Sequence, residues 1–213
     1  MKRYLLLLVY ILCCYGAYAQ YGLRVKATYK TNFMTTMAGV IKMPEGYSGE
    51  HILSNFPSFG GALAVGWSFE RMYLDLNFTT NYDEFYNESD LFNQKYDYVV
   101  YASVGYKCFK KRMVALDVLV GCGFGLSRMR FDYPELEYMG KLRASTWVLP
   151  ISTVIWFGDS AIEHGRFGIS FEYMLPLLLL DSSITDGLEL TTTKLSAFDF
   201  GPNTMSVGLK VQF

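Results

Sequence analysis

Residues 114–125 read V-A-L-D-V-L-V-G-C-G-F-G. Side chains of an extended chain alternate between its two faces. Val114, Leu116, Val118, Val120, Cys122 and Phe124 therefore share one face, and Ala115, Asp117, Leu119, Gly121, Gly123 and Gly125 share the other. The first face is wholly apolar. The second is mostly small and carries one carboxylate. A helix would scatter both sets around its circumference, so the stretch reads as a strand with one greasy side.

The same period runs outward from this stretch. Across the turn Phe109-Lys110-Lys111-Arg112, the residues Tyr98, Val100, Ala102, Val104 and Tyr106 oppose Asp97, Val99, Tyr101, Ser103, Gly105 and Lys107. Further upstream, Leu63, Val65, Trp67 and Phe69 are followed by a tight Glu70-Arg71 turn and then by Leu74, Leu76 and Phe78, which makes a hairpin. Tyr21, Leu23, Val25, Ala27 and Tyr29 alternate with Arg24, Lys26 and Lys30 in a first strand. Downstream, about Arg143 to Phe157 is apolar on both faces, and its Pro150 predicts an irregularity in the ladder. Phe167, Ile169, Phe171 and Tyr173 form a seventh strand, and Met205, Val207, Leu209, Val211 and Phe213 the last.

The connections alternate in length. Those near 31–58, 82–95, 128–142 and 178–198 are long, and those near 70, 110 and 160 are shorter. Together these features predict an all-β chain, an eight-stranded antiparallel up-and-down transmembrane β-barrel with long extracellular loops and short periplasmic turns. A soluble barrel of lipocalin type is the alternative. Aromatics near both strand ends (Tyr21, Phe69, Tyr106, Phe167 and Phe213; Tyr29, Phe78, Tyr98, Phe124 and Tyr173) fit two interfacial girdles.

Composition narrows the classes. The chain has 213 residues, 51% hydrophobic and 17% aromatic, enough for one domain. Beyond the N-terminus no run approaches the length of a membrane-spanning helix. Nineteen basic and 20 acidic residues are well mixed, which excludes a nucleic-acid footprint. Met1-Lys2-Arg3, the apolar Leu5–Cys14 and Ala17-Tyr18-Ala19 predict a signal peptide over 1–19, with the barrel domain over 20–213. Loss of Lys2 and Arg3 takes the net charge from −1 to −3. Cys13 and Cys14 leave with the leader, and Leu12 before Cys13 argues against lipidation. Cys108 and Cys122 fall too far apart along neighbouring strands to pair.

At this point the chain resembles the small outer-membrane β-barrels of Gram-negative bacteria: the OmpA- and OmpX-like barrels, the broad outer membrane protein beta-barrel domain family and the PorT-like family. The most specific part is the final strand, where Val207, Leu209, Val211 and the terminal Phe213 are similar to the signal read by the barrel-assembly machinery. The resemblance implies residence in the cell outer membrane, among lipid and lipopolysaccharide, and PorT-like membership would imply a link to secretion. No motif selects one subfamily.

The inward charges Arg24, Lys26, Asp75, Asp117, Glu172 and Lys210 all lie near the short-turn end. Three carboxylates and three cations at one level make a paired plug across the lumen, with a looser wet arrangement as the alternative. An eight-stranded lumen is too narrow for general diffusion. Enzymes of this format that act on lipid A use a His with a Ser. Here His51 with Ser54, and His164 beside Glu163, sit in connections without a third orienting group, so no enzyme and no cofactor is expected. Gly121, Gly123 and Gly125 are spaced for a strand face and are expected to relieve crowding in the lumen or to permit curvature. The acidic groups around Asp83 and Asp132 read as solvated loop faces, with no metal site. The long connections sum to −6, which disfavours anionic surfaces, while their aromatics offer a recognition surface for an extracellular protein or glycan. Asp159-Ser160-Ala161 resembles a short glycosylation motif. The expected role is envelope-structural, adhesive or secretion-accessory. A narrow channel for ions or small solutes is the second reading, and a lipid A-modifying enzyme the third.

Overall fold

The computed structural model describes residues 23–35, 41–42, 58–86, 92–111, 113–133, 138–158, 165–184, 189–190, 197 and 201–213. The expected leader over 1–19 lies outside these residues. The elements are β1 (Leu23–Thr35), β2 (Ile41–Lys42), β3 (Ser58–Phe69), β4 (Met72–Tyr86), β5 (Phe92–Lys110), β6 (Val114–Tyr133), β7 (Tyr138–Phe157), β8 (Arg166–Ile184), β9 (Glu189–Leu190) and β10 (Thr204–Gln212). Eight of them close a barrel in the order β1-β10-β8-β7-β6-β5-β4-β3, each antiparallel to its neighbours. The short β2 and β9 pair only with each other, in stretches expected as connections.

Alternation decides which side of each strand faces in. On β4, Tyr73, Asp75, Asn77 and Thr79 are buried while Met72, Leu74, Leu76 and Phe78 are exposed, and β5, β6 and β10 repeat the pattern. The outside is thus a belt of large apolar side chains, with Leu76 61% exposed and Leu209 52%. A water-soluble surface does not carry so continuous a ring of exposed hydrophobics. On β6 the apolar outward residues run from Val114 to Leu126. At about 3.3 Å per residue and a tilt of about 40°, that covers about 30 Å, close to the ~25 Å apolar band of a bilayer-spanning barrel. Aromatics sit near its margins, Phe69, Tyr106, Phe167 and Phe213 at one edge and Tyr29, Phe78, Tyr98 and Phe124 at the other.

The lumen is solid. Tyr73, Ala115, Leu119, Val154 and Trp156 form one buried cluster, and Val99, Tyr101, Val148 and Met174 another. Each inward aromatic lies across a glycine on the next strand: Tyr73 opposite Gly105, Tyr101 opposite Gly123 and Trp156 opposite Gly168. A methyl group on Gly105 would enter the Tyr73 ring, and one on Gly168 would stand 2.8 Å from Trp156. The glycines are therefore spaces that large rings occupy, which is how a narrow barrel fills itself.

Several strands outrun their expected ends. β5 to β8 have 19 or 20 residues each, and the β4–β5 and β6–β7 ladders run to Tyr86 opposite Phe92 and Tyr133 opposite Tyr138. Most of 82–95 and 128–142, expected as connections, is therefore strand. Beyond the belt the outward residues turn polar, so the apolar period fades while the hydrogen-bond ladder continues. β8 also continues past residue 178 to Ile184, and its leucine-rich run hides the period through two bulges. Leu177 and Leu180 are each skipped in the pairing with β7. Pro150 keeps its register with Met174 on β8, while on the β6 side no pair joins Gly121 and Cys122 to Leu149 and Pro150. The irregularity expected at this proline therefore falls on its β6 side. At Glu70 the two-residue turn takes a φ of 45°, the left-handed backbone such hairpins require.

A charge at the middle of the belt tests the outward assignment. Leu76→Arg should destabilise the barrel refolded in phospholipid vesicles by about 2–4 kcal/mol, measured by denaturant titration. An unchanged midpoint would mean that Leu76 faces water.

Candidate functional site

β1 supplies three inward cations, Arg24, Lys26 and Lys30, all buried. Their spacing of two or four residues puts them on the lumen face. Lys26 Nζ donates to Asp75 Oδ2 of β4 at 2.5 Å, and both side chains are 1% exposed. The same ammonium lies 3.9 Å from the centre of the Tyr73 ring, and the Arg24 guanidinium 5.2 Å from it. Arg24 also donates to the Ser68 hydroxyl. One level up, Lys30 Nζ donates to Glu172 Oε1 at 2.6 Å, and the Tyr101 hydroxyl donates to Glu172 Oε2 at 2.8 Å. Asp117 accepts from Trp156 Nε1 at 2.8 Å. Lys210 is buried on β10 within electrostatic reach of Glu172, Asp75 and Asp117.

All six lumen residues read from the sequence are thus brought into one barrel half, though not in simple pairs. Lys26 and Asp75 bond directly to each other. Glu172 takes Lys30, Asp117 takes an indole, and Arg24 takes a hydroxyl. Sequence reasoning left out Lys30, Tyr73, Tyr101 and Trp156. Parity along their strands was available as a signal, since Lys30 lies four residues from Lys26 and Tyr101 two from Val99. Which groups meet depends on barrel shear, and that is fixed only by the registers.

A second polar level, also missed, lies toward the long connections. Lys95, fully buried, donates to the Gly201 carbonyl at 3.0 Å and lies 3.4 Å from Asp97 Oδ2. Ser127 donates to Asp97 Oδ1 at 2.5 Å. Ala197, Gly201 and Pro202 are buried, and a methyl group on Gly125 would stand 2.8 Å from Pro202. The approach to β10 thus tucks into the lumen. Asp83, expected on a solvated loop face, is also buried and inward.

The C-terminal residues Val207, Leu209, Val211 and Phe213 face outward between β1 and β8, and the Phe213 amide donates to the Val25 carbonyl at 2.9 Å. Cys108 and Cys122 are both exposed free thiols. His51, Ser54, Glu163, His164 and the Asp159-Ser160-Ala161 stretch lie outside the described residues.

No protein-family profile matches the chain, and no curated protein does. Solved structures do resemble it. Neisserial surface protein A is 12% identical with a TM-score of 0.47, covering 90% of this chain and 97% of that one. Ail, the attachment invasion locus protein of Yersinia pestis, is 15% identical with a TM-score of 0.47, covering 90% of this chain and 99% of that one. Ail in complex with the heparin analogue sucrose octasulfate gives the same score and identity, over 90% and 97% of the two chains. The chain is a small, closed, eight-stranded antiparallel β-barrel. At these identities the likeness is one of chain path, and the strand pairing establishes that path by itself.

Removing one partner of a buried ion pair leaves an uncompensated charge, at a cost of about 3–5 kcal/mol. Lys26→Met should therefore destabilise the barrel by about that much in denaturant titrations, and Lys26→Met with Asp75→Asn should recover most of it. Additive losses in the double variant would show that the two groups do not act as a pair.

Proposed function

We propose that the chain is a non-enzymatic integral outer-membrane protein whose lumen is closed and whose extracellular connections do its work, in an envelope-structural, adhesive or secretion-accessory role. It is exported by the leader over 1–19 and takes its place among outer-membrane lipid and lipopolysaccharide. The filled lumen carries this reading. Across the barrel, Tyr73, Tyr101, Trp156 and the bonded charges occupy the cross-section, and Gly201 and Pro202 occupy the next level. A rigid, closed barrel leaves its loops as the surface that meets a partner, and the aromatics of those connections suit a protein or glycan. Arg24, Lys26, Asp75, Asp117, Glu172 and Lys210 serve as the plug that keeps the barrel shut.

In planar bilayers the wild-type protein should show no stepwise conductance, whereas Tyr73→Ala combined with Lys26→Ala and Asp75→Ala should open a leak. Regular conductance steps from the wild type would replace this reading with that of a narrow channel.

The outward row of β10 is the segment offered to the barrel-assembly machinery. Phe213→Ala should lower the amount of heat-modifiable protein in the outer membrane several-fold, without changing total synthesis. An unchanged outer-membrane yield would remove Phe213 from that role.

A further inference from the structure

Beyond the aromatic margin at the long-connection end, one sector of the outer face changes chemistry. On β6 the outward residues after Phe124 and Leu126 are Arg128 and Arg130, and on β7 those below Ser145 and Trp147 in number are Arg143 and Lys141. All four are exposed. The register sets Arg128 directly opposite Arg143, and Arg130 directly opposite Lys141. Directly opposed side chains start about 4.5–5.5 Å apart, and like charges there repel. Two such pairs in succession concentrate positive charge on one sector of the face, with Arg128 opposite Arg143 at its centre. The row also continues sideways. Tyr96 of β5 stands opposite Arg128 and Ser183 of β8 opposite Arg143, so two guanidinium groups are flanked by two hydroxyls across four strands. Together with Arg130 and Lys141 they line a shallow depression of ≈ 510 Å³. Asp181, exposed, lies one pair closer to the belt, opposite Ser145.

Resting on the outer-membrane reading above, we infer that this row binds the phosphate groups of an outer-leaflet glycolipid of lipid A type. Guanidinium groups present paired donors that match phosphate oxygens, and a phosphate dianion offsets the repulsion within the row. Direction decides the source of the phosphate. The row faces sideways, in line with the belt, not up into the loops. A ligand there lies in the plane of the leaflet, with its acyl chains against Tyr98, Phe124, Trp147 and Leu178, which are exposed directly below. The end is the outer one on this reading, because the tight β3–β4 and β5–β6 turns lie at the opposite edge. The net negative charge of the connections does not contradict the site, since Arg128, Arg130 and Lys141 belong to strands and are gathered on one face.

The test uses the full chain refolded in detergent micelles, with native mass spectrometry counting bound lipid. Three probes are offered: diphosphorylated lipid A, fully dephosphorylated lipid A and phosphatidylglycerol. The wild type should retain the diphosphorylated form and release the other two. Arg128→Ser with Arg143→Ser should weaken that retention about tenfold or more, with the mobility difference between boiled and unboiled protein unchanged. Lys141→Gln, a milder change, should weaken it in the same direction if the double variant fails to fold. Equal retention of the phosphorylated and dephosphorylated forms, or unchanged affinity in the variants, overturns the site. Equal retention of phosphatidylglycerol overturns the glycolipid assignment. A wild type with no heat-dependent mobility overturns the outer-membrane reading itself, and the site with it.

Discussion

A backbone in hydrocarbon has no water to bond, so every N–H and C=O of a spanning strand must find its partner within the sheet. Closure of β1 onto both β3 and β10 meets that demand and leaves no barrel edge. The other features follow from it. Once the ring is closed, alternation sends one set of side chains to the lipid and the other into a lumen that eight strands make narrow. The lipid-facing set has to be apolar and the inner set has to fill a small space. That is why large rings on one strand lie across glycines on the next, and why the charges inside are held by ammonium–carboxylate, indole and phenol contacts.

The two faces solve their electrostatics in opposite ways. Inside, cations and acceptors are interleaved, so that Lys26, Lys30 and Lys95 each reach an oxygen of the protein. Outside, above the belt, Arg128, Arg143, Arg130 and Lys141 are stacked like against like. Internal charge is therefore bonded within the barrel, whereas external charge is gathered on one sector of its surface.

Much of this was legible in the chain because a strand's period of two is strict. Strand count, topology and the facing of residues such as Asp75, Asp117 and Lys210 could be read from parity alone. Boundaries could not, because parity carries an apolar signal only where one face meets lipid. Beyond Leu126 on β6 and Tyr98 on β5 the ladder runs on with polar residues outward, Arg128 and Arg130 on one strand and Tyr96 and Gln94 on the other, which reads like a loop. The leucine run of β8 failed for another reason, since its bulges shift parity twice within four residues. The partners inside the lumen were illegible because they follow from stagger between strands far apart in sequence, as with Lys30 and Glu172. The basic row was hidden by summation, in which the acidic connections outvoted it.

The native thiols report directly on contact between the alternating apolar face and lipid. Cys122 lies in mid-belt, level with Ala102, and Cys108 lies at the short-turn margin; both are exposed on the protein surface. The protein in phospholipid vesicles made permeable to a charged maleimide, digested and read by peptide mass, should carry label on Cys108 and almost none on Cys122, with both labelled after denaturation. Equal labelling of the two thiols in the folded protein would mean that the belt faces water and that the barrel does not span a membrane.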